Sequence, residues 1–414
     1  MTQGFSSSVS PPITYADSPN LTASGRLRVA DETTLFGAQL TYDLRPLQYE
    51  QSSTGTGATV TYDSTNRQAL MTFASTPTGG ESYMQSYSYF PYLPGRSQLI
   101  FVTFNLLSAA TNVVKFAGYS DGVNGMEFQL SGSTKQFVLY SGTGSGTETI
   151  TQPNWNLDTF DGSGPSGITL DISKVQILVI DFISLYAGRV RMGFDVGGSI
   201  YYCHEFLHAN VTAFPYIQYA TLPVRCGMTC TATVSTTMNF ICASVSTEGG
   251  ADTAEGFFNS FSTQNVAITA ASGARTHVLS LRPSLTFNSI TNRYKLEINT
   301  VNVNVDGANP VFWELVIGQA LAGASYAAVN AKYSATDIDV AGTLSGSPTL
   351  VIASGYVASS NQSKSSVSAD AKIFFPLTLD QAGAVRANGT VSLLATGIAG
   401  ASAMNASINF AEVK

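Results

Sequence analysis

The stretch that most constrains this chain runs from Ser173 to Leu207, SKVQILVIDFISLYAGRVRMGFDVGGSIYYCHEFL. It opens with a nearly continuous apolar run from Val175 to Tyr186, broken only by Gln176, Asp181 and Ser184. Such a run predicts a strand buried on both faces. After Gly188 the pattern alternates, with Val190, Met192 and Phe194 on one face and Arg189, Arg191 and Asp195 on the other. Gly197-Gly198 follows, then a second run from Ile200 to Phe206. Two period-two runs around a Gly-Gly pair predict a β-hairpin, because its tight turn needs positive φ, which glycine adopts without strain. The centre of the chain is therefore expected to be a β-sandwich or jelly roll.

The rest of the sequence agrees with an all-β fold. Charged residues make up 11% of the chain, while 19 Tyr and 23 Phe accompany many Thr, Val and Gly. Disorder needs the opposite balance of low hydrophobicity and high charge. The net charge of −7 and the lack of a Lys/Arg cluster argue against nucleic-acid binding, which draws most of its affinity from phosphate neutralisation. Spanning a bilayer takes about 20 apolar residues in one run, and no run reaches that length. The start, MTQGFSSSVSPP, lacks the basic and hydrophobic segments of a secretory signal.

Taken in order, residues 1–35 read as an extended N-terminal arm, because Ser-Ser-Ser, Pro11-Pro12 and Ser18-Pro19 leave little to bury. Residues 36–247 read as a jelly-roll or lectin-like β-sandwich. Within it, the tyrosines of YMQSYSYFPYLPGRSQ read as ordinary core-edge side chains, the commoner case, or as a Tyr-lined edge strand forming a contact surface, and Trp155 is expected to pin a long loop. The polar break STEGGADTAEG opens residues 248–414, whose alternating runs predict a second β-sandwich.

Several patterns invite a chemical reading. His204-Glu205-Phe206-Leu207-His208 matches HExxH, a zinc-protease signature that depends on a helix to bring both imidazoles to one metal. Here the preceding SIYYC alternates as a strand, which would hold the two histidines about 13 Å apart. Cys203, Cys226, Cys230 and Cys242 fall in one window, but Cys226-x3-Cys230 is only a loose metal-ligand spacing. Small buried side chains on adjacent strands are the simpler expectation for the four. Asp171, Asp181, Asp195 and Glu205 are placed on central strands, and spacing alone selects no catalytic pair among them. No residue is therefore assigned a catalytic, cofactor-binding or metal role, and no cofactor is expected.

The passages WNLDTFDGSGPSGITLDISKVQILVIDFISLYAGRVRMGF, IYYCHEFLHAN, LPVRCGM and ICASVSTEGG, with SPNLTASGRLRVADETTLFGAQLTYD before them, resemble a family of tailed-bacteriophage virion structural proteins. The resemblance covers about residues 15–250. It implies a particle component rather than an enzyme, located in the virion after assembly in the host cytoplasm. Its expected partners are itself, as a homo-oligomer such as a trimer, other virion proteins and host surface glycans. Nucleic acid and membrane insertion are not expected. A tail or baseplate fibre-type protein contacting the host is the first expectation, and a capsid decoration protein the alternative. From other classes come a zinc hydrolase or polysaccharide depolymerase on the same scaffold, and a free carbohydrate-binding module.

Overall fold

A computed structural model of the chain describes residues 20–249, 257–264, 266–359, 366–370 and 377–413. The fold is all-β, and the one helical element among the described residues is the 3-10 turn Gln152–Asn154. Fifteen strands build the first unit. They are β1 (Glu32–Gln39), β2 (Tyr49–Thr54), β3 (Ala58–Asp63), β4 (Gln68–Thr76), β5 (Glu81–Ser86), β6 (Gln98–Asn105), β7 (Val113–Ser120) and β8 (Gly125–Ser131). They continue with β9 (Thr134–Tyr140), β10 (Glu148–Thr151), β11 (Gln176–Phe182), β12 (Val190–Val196), β13 (Ser199–Phe206), β14 (Val224–Cys230) and β15 (Val234–Glu248).

The chain passes repeatedly between two sheets, as in a jelly roll. One sheet has the order β13-β12-β11-β6-β15-β4-β3, with β1 also on β15, and the other β10-β9-β8-β7-β14-β5-β2. Period-two patterning sets which side chains meet between them. In β6, Ile100, Val102 and Phe104 are buried, while the residues between them are half-exposed. The facing sheet supplies Phe128 and Phe137, and Phe128 meets Phe194 of β12 edge-on at 5.2 Å. The predicted hairpin is β12–β13, with Gly197 at φ 64° and Gly198 at φ 82°. Strand β11 is central and buried from Leu178 to Phe182, as its apolar run requires.

Trp155 enters the same core, stacked on Phe137 at 4.4 Å, with Nε1 donating to the Ile150 carbonyl at 3.3 Å. Of the two readings of the Tyr-rich segment, the edge-strand contact surface is the one the structure does not build. Strand β5 is not an edge, since it pairs with β14 on one side and β2 on the other, and Tyr83 and Tyr89 are buried. Alternating Tyr and polar residues mark an edge only when no further strand covers them, and β2, distant in sequence, does so here.

The arm also differs. Residues 1–19 lie outside the described residues. Residues 20–28 fold back on themselves through a Leu21–Leu27 bridge and lie on the outer face of the first sheet. Their seat is polar. Asp181, fully buried, accepts from Arg28 Nη2 at 2.6 Å, Tyr202 Oη at 2.8 Å and Ser97 Oγ at 2.9 Å, and also pairs with the buried Arg191. Arg191 donates onward to the Leu21 carbonyl at 2.7 Å, and Arg189 to that of Ala23 at 2.7 Å. Counting apolar residues misses such an anchor, because charges and backbone carbonyls provide the attachment. Strand β1 then begins at Glu32, within the predicted arm.

The second unit has its own core around Trp313, Leu315, Val301, Ile298, Ile408 and Phe410. A five-stranded sheet containing Lys295–Val305 and Ser402–Val413 packs against a six-stranded sheet containing Thr276–Pro283, Val391–Gly397, Val311–Ile317 and, at its edge, Leu350–Val357. The two units touch. Arg386 lies over the Tyr87 ring at 3.3 Å, Arg293 over Tyr89 at 4.7 Å, and the Gln381 amide donates to Glu50 Oε2 at 2.9 Å.

Candidate functional site

The structure separates the residues that the sequence grouped. His204 lies at the end of β13, where its Nδ1 accepts from the Asn156 amide at 3.2 Å. His208 lies beyond the strand, stacked on Tyr216 at 4.0 Å, with Nδ1 against the Gly188 carbonyl at 2.9 Å and Nε2 3.3 Å from Glu148. Glu205 pairs with Arg189 at 3.0 Å. Each member of the HExxH run thus has its own local partner. Cys203, Cys226 and Cys230 are buried and free, and Cys242 is half-buried and free. They do not share neighbouring strands, since β13 and β15 belong to one sheet and β14 to the other. Burial pushes the Cys203 and Cys226 thiols up. Among the described residues, no three His, Cys, Asp or Glu side chains are grouped to hold a metal ion.

The four acidic residues are also dispersed. Asp181 is the buried anchor of the arm seat, and Asp195 accepts the Gly198 amide at 3.0 Å to close the hairpin. Asp171 lies in the turn before β11 and accepts from Ser173.

His204 has a measurable consequence. Burial pulls its pKa down to about 4, against a smaller opposing pull from Glu148. The unfolded chain then binds a proton between about pH 6.5 and 4 that the folded one does not. Its stabilising contribution is complete above pH 6.5 and is lost as pH falls towards 4. Melting temperatures measured from pH 7 to 4 should fall less steeply for His204→Gln than for the parent chain. Parallel slopes would refute this role.

The outer face of the second sheet carries a polar layer that the sequence reading passed over, although the alternation Met126-Glu127-Phe128-Gln129-Leu130 signals it. Gln129 Nε2 donates to Glu127 at 2.8 Å and to Tyr140 at 2.7 Å, and Gln136 donates to Gln129 at 3.0 Å. Arg225 lies over the rings of Tyr83 and Phe116 and pairs with Glu81 at 2.8 Å. Glu127, Gln129, Gln85 and Arg225 are all buried, and burial raises the Glu127 carboxyl. These side chains form a buried layer, hydrogen-bonded to one another.

Open space lies on the opposite side. A groove of about 540 Å³ runs over the outer face of the first sheet where β1, β15 and β6 adjoin. Cross-strand register places Gly37, Ser244 and Phe101 in one row, and Gln39, Cys242 and Thr103 in the next. The floor is low because Gly37 has no side chain, and a Cβ built there would meet only the Thr34 methyl, at 3.9 Å. The rim is the loop of Thr41, Tyr42, Asp43 and Arg45. Its backbone is fixed, since the Thr41 carbonyl accepts from Tyr62 Oη at 2.8 Å and Arg67 Nη1 at 3.0 Å, and Asp43 Oδ1 accepts the Arg45 amide at 2.8 Å. Tyr42 stands 87% exposed on this rim. An aromatic plate beside amide, hydroxyl, carboxylate and guanidinium groups can stack on the apolar face of a pyranose and hydrogen-bond its hydroxyls. No motif announces this site, because its parts come from three distant segments.

No protein-family model matches the sequence, and no curated protein matches it either. Solved structures do. A carbohydrate esterase from a Shiga toxin-encoding bacteriophage is 15% identical, covering 53% of this chain and all of that one, with a TM-score of 0.34. The laminarinase catalytic domain of Thermotoga maritima is 11% identical over 52% of this chain and 98% of its own, with a TM-score of 0.35. The carbohydrate recognition domain of Emp46p is 13% identical over 51% and 95%, with a TM-score of 0.30. The likeness is one of fold. It also corrects the expectation that the chain is not an enzyme, since an esterase and a laminarinase are among the proteins it resembles in fold.

Proposed function

We propose that this chain is a carbohydrate-contacting structural protein of a tailed-phage particle, and that the groove beside Tyr42 is where the sugar is held. The observation that supports this most directly is the exposed Tyr42 on a braced loop, above a floor kept open by Gly37 and bordered by Gln39, Asp43, Arg45, Thr103 and Ser244. The virion assignment rests on the sequence resemblance, and contact with host surface glycans joins the two. Attachment on a tail or baseplate fibre is the first placement, with head decoration as the alternative.

The test uses the full chain and purified host envelope polysaccharide. Binding is read by calorimetry, and release of reducing ends or acyl groups is followed in the same samples. Tyr42→Ala should weaken binding at least about tenfold, the effect of losing roughly 1.4 kcal/mol or more. Gly37→Val fills the floor from a strand position without positive φ, and should abolish binding while the melting temperature holds. Binding unaffected by both substitutions would remove the groove from the proposal. Saturable binding with product release would make the same groove catalytic.

A further inference from the structure

We infer that Ser280, His277 and Asp339 of the second unit form a hydrolytic triad for esters of small acyl groups, closed in this structure by Tyr326. The three meet because one strand breaks its alternation. In Thr276–Pro283, strict period two would put His277 on the face of Leu279 and Leu281, which lie in the core. The register against Val391–Gly397 slips between His277 and Leu279, and the extra residue turns His277 to the other face. Ser280 lies on that face, level with Ser392 on one neighbouring strand and Asp339 on the other.

The atoms are placed as acyl transfer requires. Ser280 Oγ is 2.7 Å from His277 Nε2, and His277 Nδ1 is 3.9 Å from Asp339 Oδ2. The carboxylate is held in turn by the amides of Ser325 at 2.6 Å and Gly342 at 2.9 Å. Ser392 Oγ lies 2.6 Å from Ser280 Oγ. When Ser392 donates to that oxygen, the Ser280 proton is directed to Nε2 and the ring carries its own proton on Nδ1, facing Asp339. Ser280, His277, Asp339 and Ser392 are all buried, and burial lowers the His277 pKa, which keeps the ring neutral and able to accept a proton. Arg282, two residues along the same face, is the positive group beside the nucleophile, and its Nε has no hydrogen-bond partner among the described residues.

Tyr326 covers the nucleophile. It is half-buried, its hydroxyl reaches Ser280, and Arg282 lies over its ring at 3.8 Å. Two-residue ladders hold its segment, Leu321–Ala322 on Thr343–Leu344 and Ala327–Ala328 on Thr336–Asp339. Ala322, Gly323, Ser325, Ala327 and Ala328 are exposed. Short, exposed ladders are the parts of a fold that open first. Tyr326 turned outward leaves the room of one ring, which suits a small acyl group such as acetyl on a sugar hydroxyl. Ser280 Oγ then attacks the carbonyl carbon and gives its proton to His277 Nε2. The carbonyl–oxygen bond to the alcohol breaks, and the alcohol leaves with that proton. Water attacks the acyl-Ser280 and gives a proton to Nε2, which returns it to Ser280 Oγ as the carboxylic acid leaves.

The test is labelling of the full chain by a fluorophosphonate probe, located by peptide mass spectrometry, with hydrolysis of p-nitrophenyl acetate followed in parallel. The parent should be labelled at Ser280. Tyr326→Ala should speed that labelling at least about tenfold, because a site open for part of the time reacts in proportion to that fraction. His277→Gln, close in size, should slow both reactions at least about a hundredfold, as loss of a general base does. Asp339→Asn removes the charge facing Nδ1 and should move the rising limb of the pH–rate profile to lower pH, and an unmoved limb would remove Asp339 from the triad. If His277→Gln does not fold, Ser280→Ala replaces it and should abolish the hydrolysis. Label on Ser280 is distinct from any activity of the groove beside Tyr42, which lies in the first unit. No label at Ser280 in either the parent or Tyr326→Ala, label there indifferent to His277→Gln, or hydrolysis that survives Ser280→Ala would each overturn the inference.

Discussion

Replacing Asp181 with Leu should cost the first unit about 3–5 kcal/mol, because it leaves Arg191 buried with its carboxylate partner removed. For a unit of this size that is a fall of roughly 10 °C or more in melting temperature. The same change should release the segment 20–28, since Arg28 and Arg191 reach it through Asp181 and the Leu21 carbonyl. Arg28 keeps its weaker contacts, with Glu248 at 3.3 Å and with the Leu21 carbonyl at 3.3 Å. Trypsin cleavage after Arg26 or Arg28 should therefore speed up well before global unfolding. The double variant Asp181→Leu with Arg191→Met should recover much of the loss, because a buried ion pair replaced by apolar groups of similar volume is close to neutral. A double variant no more stable than Asp181→Leu alone would show that the cluster stabilises through its wider hydrogen bonding instead.

Trp155→Ala should have an effect of similar size, about 3–5 kcal/mol, through the cavity it leaves beside Phe137 and Phe128. The loop it anchors is stitched to β13 by the amides of Leu157 and Asp158, which both donate to the Cys203 carbonyl at 3.0 Å. Losing the indole also loosens that attachment. Trp155→Phe keeps the stacking but not the Nε1 donor and should lose distinctly less. The only other tryptophan, Trp313, lies in the second core, so its fluorescence reports that unit separately in the Trp155→Ala chain. Calorimetry of the first unit's transition measures the loss. A change under about 1 kcal/mol would show that the loop is held by its backbone bonds alone.

Local patterns made much of the fold readable. Period-two alternation in β4, β6 and β8, the Gly197-Gly198 turn and the apolar run of β11 each follow from neighbours in sequence, and the structure builds each of them. The burial of Trp155 was readable for the same reason, as a large indole in an otherwise polar loop. The residues that form sites were not readable in this way. HExxH drew attention because its members are close in sequence, yet the strand sends His204 and His208 to different partners. The groove went unseen because Gly37, Tyr42, Phe101 and Ser244 become neighbours only when β1 and β6 flank β15.

By itself the sequence determined the fold class, the central hairpin and the net charge, because side-chain periodicity, glycine φ and net charge are local or additive properties. Only the tertiary structure decided which strands are edges, which of the acidic residues is buried, and where a cavity opens. Those depend on strand order and register, and residues hundreds of positions apart set them. Tyr83 is covered because β2 lies on β5, and Asp181 is buried because residues 20–28 fold over it.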